Sequence, residues 1–213
     1  MSYLFLIIIL IFSVIIHEIA HGAMANYLGD PTAKLMGRLS LNPIKHLDPI
    51  GSILIPLLLI VIRSPVLFGW AKPVPVNPLN FRDQKYGNAK VALSGPGANL
   101  AVALVLGLFL RFLIIPAGIG VDLFHSPFTF GDALASIVFI NILLAVFNLL
   151  PIPPLDGSHI LFTFLPSSWE NIKIFLFRYG FFILLLFIFF FIQWLFPLIE
   201  GIYKLIVGSP LIL

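Results

Sequence analysis

The sequence predicts an all-α polytopic membrane protein. It should have four full transmembrane helices, one re-entrant segment and a short β-hairpin or strand region near the active site. Three observations carry this. Of 213 residues, 60% are hydrophobic and only 10% are charged, whereas soluble domains average about 25% charged. The mean hydropathy is +1.11. The apolar residues also fall into runs close to the ~20 residues that cross a bilayer core, with proline and charge between them. We expect a single membrane-embedded domain over 1–213, with a core over about 3–165 and a C-terminal helix over 174–199. Twelve Lys and Arg against nine Asp and Glu leave a formal charge of +3. That is no nucleic-acid signal, and the lipid bilayer is the expected surrounding.

The first run, 3–28, has no charge before residue 17. It lacks the basic region of a secretory signal and reads as a retained transmembrane helix. Gly29-Asp30-Pro31 should end it. Within it His17, Glu18 and His21 read H-E-I-A-H. On a helix, positions i and i+4 share one face, so two imidazoles can meet one metal ion. The glutamate between them can take a proton from metal-bound water. His17 lies roughly 21 Å along the helix from Tyr3 at 1.5 Å per residue, inside the bilayer. Ionisable residues at such depth are expensive and mark function.

Next, 33–41 alternates polar and apolar residues, the pattern of a short strand or hairpin. The run 50–62 is short for a crossing and fits a re-entrant segment; a tilted span reaching Trp70 competes with it. The stretch 68–78 carries Pro73, Pro75 and Pro78 and should be extended. Trp70 and these prolines are either a gate over the site or an interfacial anchor. A second clear span covers 91–115. It opens on Ser94-Gly95-Pro96-Gly97-Ala98-Asn99, small residues that let helices approach, with Asn99 able to bond a neighbour. A further span covers 132–150, with Asn141 and Asn148 inside it. Pro151, Pro153 and Pro154 break it just before Asp156-Gly157. A short helix over 158–165 and a last span over 174–199 follow.

Ten of the twelve Lys and Arg fall in 29–49, 63–90 and 151–178. By the positive-inside rule these stretches are cytoplasmic. The N-terminus is then outside, and 50–70 must enter and leave on one side. Both His17–His21 and Asp156 come out near the cytoplasmic ends of their helices.

A catalytic zinc usually has three protein ligands and an open position. The chain has no cysteine, so the third ligand must be His, Asp or Glu. Asp132 and Glu200 fall on the outer side. Asp156, at a helix break and followed by glycine, is favoured, with Asp48 as the competitor. His159, one turn beyond Asp156, could touch the site. His46 reads as solvated or as supporting the ligands, and His125 as remote.

H-E-I-A-H in the first span, together with the unbroken Asn148-Leu149-Leu150-Pro151-Ile152-Pro153-Pro154-Leu155-Asp156-Gly157, resembles the site-2 protease family of intramembrane zinc metalloproteases. Gly95, Pro96 and Asn99 match that family's G-P-x-x-N group. The resemblance implies one zinc (Zn2+) per chain held by His17, His21 and Asp156. It implies Glu18 as the catalytic acid and base, and Asn148 on the substrate strand. It also implies a three-span core mapped on 3–28, 91–115 and 132–150, in a small form without PDZ or cystathionine-synthase-like domains. The substrate would be a transmembrane protein that unwinds locally, and the 33–41 strand could pair with it. A membrane transporter or metal-handling protein with the same His/Asp site is the alternative, although no repeated halves are evident.

Overall fold

The computed structural model describes residues 3–62, 72–116 and 129–209. Every regular element among them is helical. In order they are α1 (Tyr3–Tyr27), α2 (Thr32–Leu35), α3 (Ile55–Val61), α4 (Gly87–Phe109), α5 (Phe130–Asn148), α6 (Asp156–Phe164), α7 (Glu170–Phe190) and α8 (Phe196–Val207). Short 3-10 or wider turns lead into or extend several of them. Four of the described helices are long and apolar enough to cross a membrane: Phe5–Tyr27, Gly87–Ile114, Phe130–Asn148 and Glu170–Phe190.

The core is built where α4 packs on α1, α5 and α6, and where α1 packs on α5. A cluster of Ala103, Leu110, Leu134, Val138 and Ile142 continues into Ile199, Tyr203 and Val207 of α8. Thr129 starts α5 through a capping box with Asp132, so Asp132 belongs to a helix end. The chain leaves α1 through Gly29, whose φ of +111° is open to glycine and strained for other residues. The fully buried carboxylate of Asp30 then accepts from Thr32 N, Asn77 N and Asn80 Nδ2. It thereby ties the stretch after 72 to the end of α1.

Two expectations are corrected. The first is the strand or hairpin over 33–41. The chain there forms α2 and a turn through Gly37 at φ +65°, and no strand occurs among the described residues. The alternation implied that the polar positions face outward. Arg38 instead points inward, 7% exposed. Its guanidinium donates to the carbonyls of Lys45, Lys72 and Pro73. The second is the single C-terminal helix over 174–199. α7 stops at Phe190, a 3-10 turn covers Ile192–Leu195, and Pro197 sits in the first turn of α8. A proline is tolerated there and would break a continuous helix. α8 turns back onto α4 and α5.

In the 50–62 run, a wide turn over Pro49–Leu54 runs into α3. At 1.5 Å per residue this helical stretch is roughly 20 Å long, short of a ~30 Å crossing. The return part of the expected re-entrant course, including Trp70 and its gate or anchor role, lies outside the described residues. So does His125. The two feet of the segment meet, because Lys72 N donates to His46 O at 2.9 Å.

Candidate active site

α1 stays helical through its histidines because its neighbours satisfy them. His17 and His21 lie one turn apart, their ring centroids 4.6 Å from each other and their planes at 89°. Both are largely buried. His17 Nδ1 lies 2.6 Å from Asn99 Oδ1 and His21 Nδ1 lies 2.7 Å from Val91 O. A backbone carbonyl only accepts, so His21 carries its proton on Nδ1. Asn99 spends its NH2 group on Ser13 O and Asn141 Oδ1, so His17 also donates from Nδ1. Each ring therefore turns an Nε2 lone pair inward. The two Nε2 atoms are 3.0 Å apart.

The third group arrives from the other end of the core. Proline ends α5, and the loop to α6 is short. Gly157 lets it close: a side chain there would run into the backbone carbonyls of Leu149 and Leu150. Ser158 Oγ, donating to Leu155 O at 2.7 Å, steadies the first turn of α6. Asp156 Oδ2 then lies 3.0 Å from His17 Nε2 and 3.3 Å from His21 Nε2. It has no hydrogen-bond donor among the described residues. Three lone-pair atoms facing one another, buried and without a proton to share, repel unless a cation lies among them. Two imidazoles and a carboxylate suit zinc, with a fourth position for water or substrate. Among the described residues this is the one His/Cys/Asp/Glu group that could hold a metal ion.

Gly95 leaves the room for it. A Cβ at 95 would stand 2.5 Å from His21 Nε2 and 2.7 Å from His17 Cε1. Glu18 faces a different neighbour: its Oε2 accepts from Val74 N at 2.7 Å. Pro73 and Pro75 flank this N–H and carry none of their own. The Val74 side chain packs over Gly22, where a Cβ would meet Val74 Cγ1 at 2.8 Å.

The other sequence candidates fall elsewhere. Asp48 accepts from Ile50 N and Gly51 N and caps a turn. His46 is buried with Nε2 2.7 Å from Ser40 O. His159 is not in the cluster. Asn148 donates from Nδ2 to Leu144 O of its own helix at 2.9 Å. From the sequence, Asn99 is a bond to a neighbouring helix or plain packing within a matched G-P-x-x-N group, without a named partner, and Asn141 and Ser13 have no assigned role. Their signal was polarity inside apolar spans, and only the packing of three helices reveals what they join.

Residues 78–187 match the model of Peptidase family M50. The chain belongs to that family. The matched stretch holds Gly95, Asn99, Asn148 and Asp156, while H-E-I-A-H lies ahead of it. Relatives agree with this membership of the site-2 protease group. YwhC of Bacillus subtilis is 42% identical over 165 residues, which is 77% of this chain and 70% of the relative. Rip2 of Mycolicibacterium smegmatis is 33% identical over 145 residues, 68% of this chain and 51% of the relative. MJ0611 of Methanocaldococcus jannaschii is 40% identical over a shorter stretch of 79 residues. Each is named "putative zinc metalloprotease". No solved structure matches the chain. This M50 chain is a zinc metalloprotease and a multi-pass integral membrane protein.

Proposed function

We propose that this metalloprotease cleaves a peptide bond within or beside the transmembrane segment of a protein substrate. The observation that carries the reading is the convergence of His17 Nε2, His21 Nε2 and Asp156 Oδ2 where an apolar, membrane-length helix meets a proline-broken helix end. Zinc held by these three atoms supplies Lewis acidity, which acidifies water and polarises a peptide carbonyl. Glu18, on the same helical turn as His17, takes the proton from the attacking water and returns one to the leaving amine. Val74 N–H holds Oε2 of that carboxylate and leaves Oε1 for the proton. Asn148 sits at the end of α5, beside the break that carries Asp156. Its amide offers a donor and an acceptor to an unwound substrate strand whose own peptide groups would otherwise be unpaired.

The site faces the cytoplasmic side, and the N-terminus is outside. The distribution of Lys and Arg supports this orientation. The contacts of His46 and Arg38 with Lys72 hold together the two stretches that flank 50–70, which supports a re-entrant course. The whole chain works as one membrane-embedded domain.

The test is co-expression with candidate single-span proteins. Wild type cleaves one of them in a zinc-dependent way. Glu18→Gln and Asn148→Ala keep zinc and fold but lose cleavage, Asn148→Ala by about 1–3 kcal/mol of transition-state binding. Full activity in a zinc-loaded Glu18→Gln protein overturns the proposed base. Zinc binding by wild type without cleavage of any partner would favour a metal-handling role.

A further inference from the structure

We propose that Asn141 is a positioning residue for the metal site. Acting through Asn99, it fixes His17 in the tautomer that carries its proton on Nδ1 and points the Nε2 lone pair at zinc. The proposal rests on His17 being a zinc ligand.

Asn141 lies on α5, Asn99 on α4 and Ser13 on α1, one turn before His17. Asn99 and Asn141 are 0% exposed and Ser13 is 3% exposed, so no bulk water stands in for a lost partner. An amide side chain has two hydrogens on nitrogen and a carbonyl oxygen that only accepts. Asn141 uses its two hydrogens on Ile137 O at 2.9 Å and Ser13 Oγ at 3.0 Å. Its oxygen then faces Asn99 Nδ2 at 2.8 Å. Asn99 places its second hydrogen on Ser13 O at 3.1 Å. Its oxygen is left for His17 Nδ1 at 2.6 Å.

The direction of this chain is anchored by two backbone carbonyls, Ile137 O and Ser13 O, which cannot donate. Turning Asn141 over would face its NH2 to the NH2 of Asn99 and its oxygen to Ile137 O. Turning Asn99 over would face its oxygen to Asn141 Oδ1 and Ser13 O. Either arrangement leaves buried like groups opposed, which is costly where water is excluded. With Asn99 reversed, His17 would move its proton to Nε2. That proton would then point at His21 Nε2 and Asp156 Oδ2, where the metal belongs. Groups that orient a ligating imidazole typically change metal affinity by about ten- to a hundredfold.

The competing explanation is that Asn141 only glues helices together. Glue costs stability when removed and leaves the His17 tautomer alone. The experiment uses the full chain in detergent, labelled with 15N-histidine. His17 signals are assigned by their loss in His17→Gln, and zinc affinity is measured by competition with a chelator of known affinity. Zinc-free wild type is expected to show His17 protonated on Nδ1. Asn141→Leu should show mixed tautomers and bind zinc about ten- to a hundredfold more weakly. Asn141→Asp, whose neutral carboxyl donates to Ile137 O and accepts from Asn99, should keep the wild-type tautomer and bind zinc within a few-fold of wild type. A folded Asn141→Leu protein with the wild-type tautomer and affinity overturns the proposal. Asn141→Ala carries the same expectation and the same overturning result where the leucine variant does not fold. A folded Asn141→Asp protein that loses the Nδ1 proton also overturns it. If wild type binds no zinc, the ligand reading falls, while the tautomer of the zinc-free protein still decides the relay.

Discussion

At the scale of single residues, a strong constraint on the metal site falls on a position with no side chain. Gly95 sits where any Cβ would press on both imidazoles. Helix interiors ordinarily gain roughly 0.5–1 kcal/mol from Gly→Ala. Gly95→Ala forgoes that gain, because its Cβ would stand 2.5 Å from His21 Nε2; zinc content and proteolysis are expected to collapse, and the melting temperature to fall with the lost zinc. Metal analysis beside a melting curve checks this, and full zinc occupancy in the variant would refute it. The grouping of His17, His21 and Asp156 was legible in the sequence because ionisable groups are conspicuous in apolar runs. Gly95 was legible as a small residue and as part of the G-P-x-x-N match, but not as the position facing both imidazoles, since a glycine does not announce what stands against it. The tie from Asn141 to His17 was not legible either. It depends on three helices from distant parts of the chain meeting at one depth, and no spacing rule encodes that.

At the scale of elements, the segment Lys72 to Asn77 matters most. Its prolines were read correctly as barring a regular helix, but its partner was not foreseen. Val74 N–H is held on Glu18 while Lys72 and Asn77 are tied to His46 and Asp30. Val74→Pro removes that one donor and keeps a similar apolar bulk over Gly22. The expected result is unchanged zinc content with turnover lowered about tenfold or more, because the carboxylate loses the hydrogen bond that orients it. Single-turnover assays on zinc-loaded protein measure it, and wild-type turnover would dismiss the role. The long spans were legible because length and apolarity decide them. The 33–41 strand was misread because alternation assumes that charge faces water, and Arg38 faces three carbonyls instead. The last span was overextended because the hydrophobic run continues through Pro197 although the helix does not.

At the scale of the whole molecule, orientation can be read directly, since the chain has no cysteine of its own. Lys34→Cys and Lys85→Cys are expected to react with a membrane-impermeant maleimide from the same, cytoplasmic side. Labelling from opposite sides would refute both the topology and the re-entrant course of 50–70. One consequence of the metal centre reaches beyond chemistry. Its proposed ligands come from the first helix and from a helix late in the chain, so an ion bound by all of them closes nearly everything between into a single loop. Such a closure restricts the unfolded chain much as a disulfide does, in a sequence that can form none. Ligand binding to the folded state alone also stabilises it by mass action. Zinc is thus a fastener as well as a reagent. Stripping it with a chelator should lower the melting temperature of wild type and expose the α5–α6 loop to added protease. Asp156→Ala should melt at one temperature with or without the chelator.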